Sequence, residues 1–152
     1  MRQMLRTLLA VTVLTASPSL TAQRSADRVI DVYKLPTCGC CAKWAEHLRA
    51  RGLTVRTTNV NSIAELPSSR RLSQQPQPCH VGVIGDYVVE GHVPASDVLR
   101  LLKERPAIAG LSVPGMPVGS PGMEVAGQSA QPYDVLAVDR QGNARVYASH
   151  GR

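Results

Sequence analysis

The chain has 152 residues, which suits one domain with a core of its own, and a formal net charge of +6 from 17 Lys+Arg against 11 Asp+Glu. Phe is absent and aromatics are few, so the core must be built from Val, Leu, Ile and Ala. The basic residues are scattered, with Arg70-Arg71 the sole adjacent pair, and no basic block or aromatic platform argues for nucleic acid.

The chain opens with Arg2 and Arg6, a mostly apolar run from Leu8 to Ala16, the break Ser17-Pro18 and small residues around Thr21-Ala22. This pattern predicts an export signal over residues 1–22, and the run is too short for a membrane span of about 20 residues. Its removal would lower the charge to +4 and place the chain in an exported, periplasmic compartment that permits disulfides. The remainder, residues 29–150, reads as a single domain.

Val29 to Leu35 is apolar at nearly every position and predicts a central strand. Pro36-Thr37 turns the chain, with Thr37 as a candidate cap for a helix over Ala42 to Arg51 that Gly52 stops. Leu53 to Val60 alternates as a second strand. Ser62 could cap a second helix over Ile63 to Leu72, which Pro67 interrupts. Gln74 to Pro78 is a polar loop. Cys79 to Ile84 and Tyr87 to Glu90 read as a hairpin about Gly85-Asp86. Ser96 is placed to cap a helix over Asp97 to Glu104, which Pro106 ends. Ala107 to Gly127 is long, rich in Gly and Pro, and predicted to lack regular structure. Tyr133 to Val138 and Ala144 to Ala148 form a C-terminal hairpin. The fold class is α/β: a thioredoxin-like βαβ…ββα core, an added hairpin and a long Gly/Pro/Met loop. In that plan Cys38 and Cys41 form the Cys-x-x-Cys at the helix start. Pro78 stands where such folds place a cis-proline, which would bring Cys79 to the thiols.

Three of the four cysteines, Cys38, Cys40 and Cys41, fall within four residues where a strand gives way to a helix. A helix N-terminus offers unpaired N–H groups and partial positive charge, both of which favour thiolate. Cys38 and Cys41, at i and i+3, can share a face and could form a disulfide; one between adjacent Cys40 and Cys41 would be strained. Cys40 reaches inward only if the turn is not yet regular helix. Converging thiolates select Cu(I), zinc or an iron–sulfur cluster. The compressed spacing suits sulfurs bridging several Cu(I) ions better than zinc, which normally takes separated pairs or added histidines. Thiol–disulfide exchange with Cys38 attacking and Cys41 resolving stays open, as does a purely structural disulfide. Hydrolase and nucleotide chemistry have no motif here.

His80, beside Cys79, is the best nitrogen donor candidate. Neighbours on a strand face opposite ways, so the pair can share a site only if the chain is still loop-like at Pro78. His92 reads as exposed or core polar rather than a ligand. His47 should face away from the cysteines and lie at the surface, and His150 should be exposed in the tail. Met116 and Met123, each following a Pro-Gly, are either accessory soft ligands that cover or feed a copper site or apolar plugs pinning the loop.

Leu35-Pro36-Thr37-Cys38-Gly39-Cys40-Cys41-x-x-Trp44, Pro78-Cys79-His80, Gly91-His92-Val93-Pro94 and the run from Gly110 to Glu124 resemble the CopG-type copper-resistance proteins, exported thioredoxin-like proteins of bacteria. The resemblance spans about Val29 to His150. It implies copper bridged by the thiolates of Cys38, Cys40, Cys41 and Cys79, with His80 as nitrogen donor. It also implies a part in copper tolerance by sequestration or by interconverting Cu(I) and Cu(II), beside other periplasmic copper-handling proteins.

Overall fold

The computed structural model of the chain describes residues 28–67, 70–72 and 78–152. The predicted export signal and most of the loop from Gln74 to Pro78 lie outside the described residues, as does Gln77 of the Gln77–Pro78 bond. Strands β1 (Val29–Lys34), β2 (Thr54–Asn59), β3 (His80–Ile84), β4 (Tyr87–Glu90), β5 (Gly110–Ser112), β6 (Tyr133–Val138) and β7 (Ala144–His150) form one sheet in the order β2-β1-β3-β4-β5-β6-β7. Among the described residues the chain also forms helices α1 (Gly39–Ala50) and α2 (Ala95–Glu104) and a 3-10 turn at Ile63–Glu65. The first four strands and two helices make the thioredoxin-like core. There β1 pairs in parallel with β2 through α1, and antiparallel with β3.

The alternation of side chains explains the layering. Ile30 and Val32 of β1 are fully buried and pack with Trp44 and Leu48 of α1 and Val98 and Leu101 of α2. Tyr33 points to the opposite face and joins Ile63, Leu66 and Val81 in a smaller cluster. Only Ile30 and Val32 of β1 are fully buried, so its apolar run reflects two half-covered faces rather than a strand sealed on both. At Gly82 a side chain would press on Ile30 and Trp44, with Cβ 2.7 Å from Ile30 Cδ1; the glycine makes room for the indole. Trp44 Nε1 then donates to Val93 O at 2.9 Å, tying α1 to the chain entering α2.

Several boundaries move for local reasons. Helix α1 starts at Gly39, not Ala42, and its N-cap is Cys38 rather than Thr37. Helix α2 starts at Ala95 after Pro94, before the expected Ser96 cap, and the Ala95 amide donates to His47 Nε2 at 3.1 Å. Ser62 does cap, but what it caps is a 3-10 turn at Ile63–Glu65 that ends before Pro67, where an α-helix was expected. The segment from Ala107 to Gly127 is not without strand: Gly110–Ser112 pairs in parallel with β4 and antiparallel with β6. That short strand welds the C-terminal hairpin to the core. No helix among the described residues is long and apolar enough to cross a membrane.

Candidate metal centre

Four sulfurs converge where α1 begins. The ligand atoms of Cys38, Cys40, Cys41 and Cys79 all lie within 4.8 Å of one another. Two stations of the chain supply them. The first is the α1 N-terminus: Cys38 has the extended backbone of an N-cap (φ −78°, ψ 96°), and its Sγ accepts from Cys41 N at 3.3 Å. Sulfur occupies the capping role that a serine or aspartate oxygen usually fills. Cys38 and Cys41 are joined in a disulfide, with Cα atoms 5.3 Å apart, while Cys40 and Cys79 are free. Cys40 lies inside the first helical turn, yet its Sγ is 3.4 Å from that of Cys38. The extended Cys38 makes this reach possible, so the irregular turn expected at Cys40 is not required.

The second station is the entry to β3. The strand begins at His80, so Cys79 lies ahead of it in a bend and escapes the alternation that would separate the two side chains. Leu35 N donates to Cys79 O at 3.1 Å and docks this station on the end of β1. Burial first, then the charge of Cys40, pushes the Cys79 thiol up. His80 Nδ1 is 3.2 Å from Cys41 Sγ, and His80 Nε2 is 3.1 Å from Gly91 O. The imidazole is 1% exposed and lies 4.5 Å from the Trp44 ring, centroid to centroid. Burial, then the neighbouring His92, holds its pKa down to about 4. The Lys34 charge acts in the same direction; its Nζ donates to Leu35 O at 3.0 Å, at the rim of the cluster.

His92 is 1% exposed and packs edge-on to His80, ring centroids 5.0 Å apart. The expectation of a core polar residue holds; its position against the site was not legible. Its Nδ1 lies 2.8 Å from Pro121 O, and burial lowers its pKa. Beside Pro121, Gly122 (φ +87°) lies so close to α1 that a Cβ would sit 2.8 Å from Cys40 O and 2.9 Å from Trp44 N. The loop expected to cover the site thus rests on the first turn of α1. Met123 is half-buried; Met116 is 54% exposed, so the plug role does not suit it.

Two histidines depart from expectation. His47 is half-buried, and its ring nitrogen serves the α2 N-terminus. His150 is not a free tail residue: it ends β7, with Nε2 2.6 Å from Asp97 Oδ2 and its ring stacked on Tyr133. Neither adjoins the cysteines through a contact the structure shows.

Residues 76–123 match a family model described as "Protein of unknown function, DUF411". Two solved structures are similar over most of the chain. One, "Copper resistance protein copG- Form 1", shares 40% identity over 82% of this chain and 98% of its own, with a TM-score of 0.68. The other, "Copper resistance protein copG- Form 2", shares 42% identity over 81% of this chain and 98% of its own, with a TM-score of 0.64. No curated protein matches.

Proposed function

The chain belongs to the CopG family of copper-resistance proteins, and from that premise we propose that it binds Cu(I) through Cys38, Cys40, Cys41 and Cys79. The observation that carries the proposal is the gathering of four sulfurs within 4.8 Å. Four soft donors so close repel one another as thiolates and are brought to rest by a soft cation. Their crowding favours sulfurs shared between several copper ions over a single zinc. His80 is the added nitrogen donor, and Met123, with Met116, the accessory thioethers. The Cys79 thiol, held protonated by burial, releases its proton as metal binds. In this reading the domain over residues 29–150 is exported to the periplasm after removal of residues 1–22. There it lowers copper toxicity by sequestration, with interconversion of Cu(I) and Cu(II) as a further capacity.

Anaerobic Cu(I) titration of the fully reduced chain, with metal analysis and thiol counting on the same samples, tests this. Tight uptake of more than one copper per chain, lost in Cys40→Ser, is the expected result; absence of tight uptake overturns it. The Cys38–Cys41 disulfide favours one rival, a thiol–disulfide oxidoreductase. Cys40→Ser would leave that exchange couple active, so the same variant separates the two.

A further inference from the structure

Two buried imidazoles, His80 against Cys41 and His92 against His80, have their tautomer set by the backbone. A carbonyl oxygen only accepts, so the nitrogen facing it must carry the hydrogen. His80 faces Gly91 O with Nε2, which leaves the lone pair on Nδ1; that atom lies against Cys41 Sγ. His92 faces Pro121 O with Nδ1, which leaves the lone pair on Nε2. His92 Nε2 is enclosed and has no hydrogen-bond partner. His80 Nδ1 is no better served in the disulfide form, because Cys41 then has no S–H to donate. Two nitrogen acceptors without donors, on rings 5.0 Å apart, are a cost the fold carries unless something accepts their lone pairs. An imidazole whose other N–H is anchored on a carbonyl is the usual arrangement of a metal-bound histidine.

We propose that His80 Nδ1 and His92 Nε2 are the Cu(II) ligands of the oxidised chain. The inference rests on the copper reading above and extends it to the state in which Cys38 and Cys41 are joined. Disulfide formation withdraws two soft thiolates; the two imidazoles remain, and imidazole nitrogen suits the harder Cu(II) ion. Sulfur would thus serve one oxidation state and nitrogen the other. The binding itself transfers no electrons.

The test uses the full chain carrying Cys40→Ser and Cys79→Ser, which keeps the Cys38–Cys41 disulfide and leaves no thiol to reduce Cu(II). Cu(II) alone is titrated in, and coordinated nitrogens are counted by electron paramagnetic resonance. A signal from two histidine nitrogens is expected, falling to one in added His92→Gln, with affinity weakened about tenfold or more. An unchanged nitrogen count in His92→Gln overturns the proposal. So does a failure of the oxidised chain to bind Cu(II), which would leave the lone pairs to a bridging water. If His92→Gln does not fold, substoichiometric Cu(II) is added to the parent with all histidines intact and the imidazole resonances are followed by NMR. Broadening that strikes His80 and His92 first supports the pair; broadening that strikes His47 or His150 first overturns it. Anaerobic Cu(I) uptake by the reduced, unsubstituted chain is read separately, so failure of the thiolate site and failure of the histidine pair give different patterns.

Discussion

An imidazole held neutral by burial links the site to the stability of the fold. His80 ionises near 4 in the native chain, and near its ordinary 6.5 when the chain unfolds. Between those values the unfolded state binds the extra proton, so the stability of the metal-free fold is whole above the unfolded value and declines as pH falls toward 4. The loss is on the order of 3 kcal/mol. Urea unfolding from pH 7 to pH 4 should show the decline, and His80→Gln should remove most of it; an equal slope in the variant would refute the assignment. His92 and His47, lowered in the same direction by burial, leave the remainder. The cysteines and His80 were legible because their signal is local: three thiols in four residues, and a His next to the fourth. The position of His92 was not, because its Nδ1 contact is made with Pro121, 29 residues on. His47 failed for a related reason. Its turn around the helix was readable, but not that the Ala95 amide, 48 residues away, would come to meet it.

At the scale of elements, the loop that carries Pro121 and Gly122 is a clamp on the first turn of α1. Its geometry needs glycine at 122 twice over: φ is +87°, and the helix backbone stands where a Cβ would be. Gly122→Ala should therefore destabilise the fold by more than about 1 kcal/mol. Hydrogen exchange should quicken at Gly119 and Ser120, whose amides donate to Met123 O and Pro117 O. Unchanged exchange at both amides would show that the loop holds by other contacts. The periodic elements, α1 and the β3–β4 hairpin, could be read from sequence because their burial repeats along the chain. Strand β5 could not: it is three residues long, and what makes it a strand is two partners, β4 and β6, on either side. At Gly110 a side chain would collide with the Val88 backbone, so the glycine that looked like a loop residue admits the parallel pairing. A glycine reads alike in a loop and at a close approach.

For the whole molecule, β5 makes one seven-stranded sheet of a thioredoxin-like core and a hairpin that sequence could only set side by side. Asp97 fastens the two from the other direction. It sits 5% exposed in the first turn of α2, with the His150 ring nitrogen of β7 at 2.6 Å. Asp97→Asn should cost about 1–3 kcal/mol and speed exchange of the β7 amides, measured by urea unfolding and hydrogen exchange; equal stability would mean that the β6–β7 ladder alone secures the hairpin. The open sheet has a further consequence, for how copies of the chain treat one another. Each edge of a sheet is a row of amides and carbonyls that could accept a foreign strand. Strand β2 forms one edge and presents Thr54, Arg56, Thr57, Thr58 and Asn59 to solvent, with the Arg56 guanidinium fixed on Asp31 of β1 at 2.6 Å. Such an edge is a poor seed for polymers. That protection matters for a chain with two free thiols, since stacked copies would bring them within reach of crosslinks between molecules.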